Sequence, residues 1–336
     1  MKFYLDKLET KLKEEGYKTK YIATCKSYAE RLLDNNLPVI FDMKHFSLLL
    51  GIDNLKLNTF INSLDLYQYH TISIPKKSGG TRRLIVPSEN LRILQKWILV
   101  NILENIKVSP YAHGFKKNKS IVSNASMHKG KEYLVNIDLK DFFPTIKFNR
   151  LFMIFYYYGY TKEMSYNLAK LCTYKGILPQ GAPTSPYISN IISLRLDKRI
   201  SGLSNKIGAD YSRYADDITI SGNRNILSYI KVYKKIIEDE GFQINESKFR
   251  VKRSFERQMV TGLVVNEKIS VPREVKDYIK QQIYYCKKYG IEEHLKYSNC
   301  LNSNFKEHLY GVAYFIKMVE EEKGLEYLKQ LSEIKW

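Results

Sequence analysis

Apolar residues recur at helical spacing near both ends of the chain, while shorter strand-like runs lie between them. Tyr21, Cys25, Tyr28 and Leu32 fall on one helix face, Asn35-Asn36-Leu37-Pro38 breaks the pattern, and a second helix is predicted from about Asp42 to Leu50. Ile72–Ile74 and Arg82–Val86 flank Ser78-Gly79-Gly80, a hairpin signal with basic residues at its tip. Ser88 is a fitting N-cap for a helix that turns Leu91, Leu94, Ile98 and Ile102 inward. The apolar run of β-formers from Tyr133 reads as a buried central strand with Asp138 at its end. Asp210–Arg213 and Ile218–Ser221 predict two short strands joined by a tight turn. Met259–Val265 and Ile269–Val271 predict another hairpin, about Asn266-Glu267. Past Pro272 the pattern is helical again, through Val275, Ile279, Ile283 and Cys286, then Leu309, Val312, Phe315 and Ile316. The expected class is α+β, an antiparallel sheet with helices.

Charge narrows the partners. Lys and Arg total 54 against 35 Asp and Glu in 336 residues, a formal charge of +19, which favours a polyanion. No stretch approaches the ~18 apolar residues of a membrane span, and the aromatic run Phe152–Tyr160 is too short. The N-terminus has no signal-peptide core. Cys25, Cys172, Cys286 and Cys300 are scattered and read as reduced thiols of a cytoplasmic protein, with neither a zinc site nor a disulfide framework. The six His are equally dispersed.

The densest chemistry is Tyr214-Ala215-Asp216-Asp217, between the two short strands. Adjacent carboxylates at a hairpin tip repel each other unless a cation lies between them, and hard oxygen ligands favour Mg²⁺ or Mn²⁺. Asp138 supplies a third carboxylate, costly to bury without a partner. Together the three could hold two ions ~4 Å apart, an arrangement suited to phosphoryl transfer.

Three segments in this order carry a family resemblance: Asp138 with Phe142-Phe143, then Leu178-Pro179-Gln180-Gly181-Ala182-Pro183-Thr184-Ser185-Pro186, then Tyr214–Asp217. They resemble the core motifs of reverse transcriptases. Asn124-Ala125-Ser126-Met127-His128 and Val260-Thr261-Gly262 make the chain look more narrowly like a bacterial retron reverse transcriptase, with the similarity running from about Ile72 to about Arg273. The resemblance implies a right-hand polymerase: an N-terminal helical region over 1–65, fingers over 66–130, a palm over 131–255 with interleaved fingers segments at about 145–185, and a thumb with a connecting hairpin over 256–336. No RNase H or endonuclease domain is expected.

The same resemblance implies roles. Asp138, Asp216 and Asp217 would be the catalytic, metal-holding carboxylates for two Mg²⁺, with Mn²⁺ as substitute. Lys76, Arg82 and Lys248 would approach the triphosphate of an incoming deoxynucleotide, and Gln180 and Gly181 would pack against the nascent base pair. Phe143 would lie beneath the sugar and exclude a 2′-hydroxyl; of the two adjacent rings, one should face inward and the other the substrate, as residues leaving a strand alternate. Asn124, His128, Val260, Thr261 and Gly262 would position a cognate non-coding RNA, from which a branched RNA–DNA hybrid is made. A separately encoded effector and an anti-phage role are further implications. Another bacterial reverse transcriptase, group II intron-like or of other defence type, an RNA-dependent RNA polymerase and a non-catalytic RNA-binding scaffold are the competing readings; the intact carboxylates oppose the last.

Overall fold

A computed structural model describes residues 2–75, 79–297 and 304–336. The chain divides into two compact units that alternate along the sequence. One comprises Met1–Phe115, Leu139–Arg199 and Ile236–Gln243; the other Lys116–Asp138, Ile200–Lys235 and Ile244–Trp336.

The first unit begins with helices Lys2–Glu14, Thr19–Asp34, Met43–Leu50, Asn54–Asn62 and Leu64–Tyr67. In Thr19–Asp34 the buried stripe is Ile22, Cys25, Tyr28, Ala29 and Leu32. Tyr21, expected on that face, is half exposed and stacks on Tyr17 with ring centroids 4.9 Å apart. The next helix starts where Asp42 accepts the His45 N–H at 2.7 Å and stops at Gly51, whose φ of +67° ends it in the left-handed region. Strands β1 (Tyr69–Pro75) and β2 (Thr81–Pro87) form the expected antiparallel hairpin, with Ile74 opposite Arg82. Ser88 caps the helix Glu89–Asn101, and Leu91, Leu94 and Ile98 are buried along it. Helix Ser185–Ile192 has Thr184 at its N-cap position, without a side-chain cap bond, and Pro186 in the first turn, where its missing N–H costs nothing.

The second unit is organised by a five-stranded sheet among the described residues. Strand β3 (Tyr133–Lys140) is central, flanked on one side by β5 (Asp217–Gly222) and then β4 (Asp210–Tyr214), and on the other by β6 (Gln243–Ile244) and β7 (Arg250–Arg253). Leu134, Val135 and Ile137 are at most 1% exposed, and each contributes about 1.5–3 kcal/mol by burial.

Below Gln258 the observed hairpin is tighter than the sequence predicts. Strands β8 (Met259–Val260) and β9 (Leu263–Val264) are joined by Thr261-Gly262, with φ of +46° and +82°, a turn the sequence does not predict; the expected bend about Asn266-Glu267 follows it, with Val264 paired antiparallel to Ser270. Positive φ at both loop positions is what a type I′ turn demands. Gly262 is there for that backbone: nothing lies within 4 Å of where its Cβ would be. Ala125, Leu134, Val260, Leu263 and Val271 share one core with Ile279, Ile283, Leu309, Ala313 and Ile316 of the C-terminal helices Arg273–Tyr289 and Phe305–Val319.

Among the described residues no helix is long and apolar enough to cross a membrane. Cys25, Cys172 and Cys286 are buried free thiols, and Cys300 lies outside the described residues.

Candidate active site

The β3–β5 register sets Asp138 directly opposite Asp217. Residues so paired project from the same face with Cβ atoms about 5 Å apart, and like charges there repel. Asp216 sits beside them in the two-residue loop between β4 and β5, because Tyr214 pairs with Asp217 and leaves only Ala215 and Asp216 to turn the chain. Ala215 takes φ of +57°, a conformation a Cβ makes costly. The turn is secured from within: Arg213, fully buried, donates from Nη1 to the Ala215 carbonyl at 3.0 Å.

Electrostatics follow from the crowding. Desolvation by surrounding protein, then the charges of Asp216 and Asp138, push the Asp217 carboxyl up to about 6, against the opposing pull of Lys248. Asp217 nonetheless keeps an exposed edge that a dissolved cation can reach. Asp138 is buried, and both its oxygens are engaged: Lys248 Nζ donates to Oδ2 at 2.8 Å and Asn245 Nδ2 to Oδ1 at 3.0 Å. The hydrogen bond to Asp138 raises the Lys248 ammonium above its ordinary pKa, with partial desolvation opposing. Among the described residues no three His, Cys, Asp or Glu already stand in ligand geometry around one point. The donor set still fits a hard divalent cation, since it is all oxygen and carries more negative charge than Lys248 offsets. Asn245 lies in the segment that ends at Lys248 and Arg213 in the strand before the carboxylate turn, but neither has a role assigned from sequence; their importance lies in contacts that only the fold creates.

His128 is fully buried, its ring nitrogens each 2.7 Å from a hydroxyl: Nδ1 from Ser221 Oγ on β5 and Nε2 from Ser212 Oγ on β4. Asn124, in the helix Ile121–Ser126, is also fully buried, and neither amide atom has a hydrogen-bond partner among the described residues. Val260 is a core residue. Direct contact of these three side chains with RNA does not fit such enclosure; their placement suits support of the sheet. Thr261 is half-buried at its turn and donates from Oγ1 to the Ile121 carbonyl at 3.2 Å, so the two segments that read separately in the sequence touch each other. Gly262 is exposed.

In the first unit, Phe142 is buried against Phe242, ring centroids 5.5 Å apart, while Phe143 is half-buried. The two rings differ in burial but meet edge-on, centroids 5.5 Å apart, in the short helix Phe142–Thr145 that follows Asp141 at φ of +47°, so strand alternation does not separate them. Gln180 accepts the Ile85 N–H of β2 at 3.0 Å, and a Cβ on Gly181 would lie 2.7 Å from the Ile85 carbonyl oxygen. Glycine is therefore required by β2 itself. Arg82 is exposed on β2, and Lys76 lies outside the described residues.

Comparison with known proteins agrees with this arrangement. Residues 74–286 match the reverse transcriptase (RNA-dependent DNA polymerase) family. The chain is 36% identical over 297 residues to the retron Ec86 reverse transcriptase of Escherichia coli, covering 86% of this chain and 92% of that one. It is 33% identical over 346 residues to the retron Mx162 reverse transcriptase of Myxococcus xanthus, covering 91% and 69%. A family match over more than half the chain, with such relatives along most of its length, leaves one assignment: the chain belongs to the retron reverse transcriptases, RNA-directed DNA polymerases of right-hand fold.

Proposed function

We propose that this polymerase copies a cognate structured non-coding RNA, used as template and primer, and that synthesis from a 2′-hydroxyl of that RNA yields a branched RNA–DNA hybrid. The observation that carries the reading is the pairing of Asp138 with Asp217, with Asp216 in the adjoining turn, in a chain similar to retron enzymes over most of its length. Asp138, Asp216 and Asp217 are the residues to hold two Mg²⁺, or Mn²⁺ in their place. Bound there, divalent ions supply Lewis acidity toward the attacking hydroxyl and the leaving pyrophosphate.

The protein's own contribution is positioning. Phe143 excludes the 2′-hydroxyl of the incoming nucleotide, Gln180 and Gly181 border the nascent base pair, and Lys76, Arg82 and Lys248 bring positive charge to the triphosphate. The Asn124–His128 and Val260–Gly262 segments brace the sheet and present the Thr261-Gly262 turn, exposed at Gly262, toward the RNA. The enzyme acts in the cytoplasm, in anti-phage defence beside a separately encoded effector.

Sequencing the nucleic acid that co-purifies with the protein tests the narrow assignment. A branched RNA–DNA hybrid, absent from Asp216→Asn protein that still folds, is the expected result. Bulk RNA alone would reject it, and full DNA synthesis by Asp216→Asn would remove the carboxylate assignment.

A further inference from the structure

Both carboxylate oxygens of Asp138 are held by a single short segment, Asn245–Lys248. The Asn245 backbone N–H donates to the Asp138 carbonyl at 2.8 Å while its side chain donates to Oδ1 at 3.0 Å, so one residue grips both backbone and carboxylate. Ser247 Oγ donates to Asn245 Oδ1 at 2.7 Å, which orients the amide with its NH₂ toward Asp138. A short turn over Glu246–Lys248 then brings the Lys248 ammonium to Oδ2 at 2.8 Å. The Lys248 side chain is 60% exposed against 10% for Asp138. Asn245 is thus locked by its neighbours, whereas Lys248 reaches the carboxylate on a flexible stem that can swing into solvent.

A buried carboxylate needs a compensating charge at all times. Oδ2 is also the oxygen left for a hard cation once Asn245 holds Oδ1, and an ammonium and a divalent ion on one oxygen repel each other. We propose that Lys248 is an exchangeable counter-ion: it keeps the place of a divalent cation on Asp138 and yields it on metal entry, while Asn245 keeps the carboxylate aimed. This rests on the reading of Asp138 as a metal-holding residue. Exchange has a directional consequence, because the released ammonium is freed beside the site at the moment when an anionic triphosphate, arriving with its own metal, needs a cation. Premature metal loading of the enzyme without substrate is disfavoured by the same contact.

The test is Mn²⁺ binding to the full chain, without nucleotide or primer–template, followed by the electron paramagnetic resonance signal of free Mn²⁺. Lys248→Met removes the charge at a largely exposed side chain, and circular dichroism checks that the fold is kept. We expect it to bind Mn²⁺ about 30-fold more tightly than wild type, the order set by one exposed unit charge acting on a dication across ~4 Å in water. Lys248→Arg, which retains the charge, should stay near the wild-type affinity. The double variant with Asp138→Asn should lose the gain. Equal affinities in wild type and Lys248→Met, including no detectable binding to either, overturn the exchange. A tightening in Lys248→Met that survives Asp138→Asn also overturns it, since the contact would then be irrelevant. If Asp138→Asn and Asp216→Asn alone leave measurable Mn²⁺ binding unchanged, the fault lies in the underlying assignment of the carboxylates.

Discussion

His128 Nε2 lies 2.7 Å from Ser212 Oγ, which ties the segment following the helix Ile121–Ser126 to the strand that leads into Asp216. Its other nitrogen reaches Ser221, on the strand that leads away from Asp217. One ring therefore bridges both arms of the hairpin that carries the paired carboxylates. One nitrogen accepts and the other donates in the neutral imidazole, and two rotatable hydroxyls satisfy either tautomer.

This bridge predicts a scaffold phenotype. His128→Ala should cost about 1–3 kcal/mol for the hydroxyls it leaves without that partner, and more from the cavity. DNA synthesis should fall to a similar extent on the structured cognate RNA and on a generic annealed primer–template. Chemical denaturation and parallel extension assays measure both. A loss confined to the cognate RNA would return His128 to direct recognition.

Asp217 predicts a pH signature in the metal-free protein. Its carboxyl is raised from 3.8 to about 6 in the folded chain, so the folded state binds the proton more tightly than the unfolded one. The resulting stabilisation is fully present below the unfolded value and is lost as pH rises through about 6. Asp217→Asn escapes that loss. In EDTA its melting temperature should exceed wild type's above about pH 6, and the gap should shrink toward pH 4. A gap that stays constant across this range would mean that the carboxyl does not titrate as described.

Gly181 predicts a backbone clash in the first unit. Its φ of +143° and the Ile85 carbonyl oxygen 2.7 Å from a would-be Cβ leave no room for alanine. Gly181→Ala should destabilise by about 1–3 kcal/mol, the range for a residue forced into a sparsely populated conformation. Denaturant titration reads this directly. An unchanged midpoint would show that β2 can move aside.

How legible these features are in the sequence depends on whether the determining interaction is local. The strands bearing Asp138 and Asp217 are visible as apolar runs around a two-residue turn, because burial and turn geometry are written in adjacent residues. The β8–β9 hairpin is misjudged for the opposite reason. The chain does bend about Asn266-Glu267, where Val264 pairs antiparallel with Ser270, but it turns first at Thr261-Gly262, which the sequence presents as strand and where Thr261 Oγ1 meets Ile121, 140 positions away. The role of Asn245 is illegible for the same cause: Lys248, three residues on, is singled out by sequence, but the Asn245–Asp138 contact spans 107 positions. His128 is noticed through its motif, but its buried position comes from Ser212 and Ser221, far along the chain.

The adjacent rings Phe142 and Phe143 predict a separable pair of phenotypes. Phe142 is 3% exposed and packs on Phe242, so its loss is a core deletion. Phe142→Ala should cost about 3–5 kcal/mol and leave the ratio of deoxynucleotide to ribonucleotide incorporation unchanged in the protein that remains folded. Phe143 is half-buried, near Phe115 at 6.2 Å between centroids, and retains a face that no core contact consumes. If that face excludes the 2′-hydroxyl, Phe143→Val should raise relative ribonucleotide use with a smaller stability cost than Phe142→Ala. Single-nucleotide extension with each triphosphate, run beside thermal melts, separates the two effects. A Phe143 variant that loses both activities in proportion, with its ratio unmoved, would make the ring a packing residue. The sugar selectivity would then have to come from elsewhere in the site.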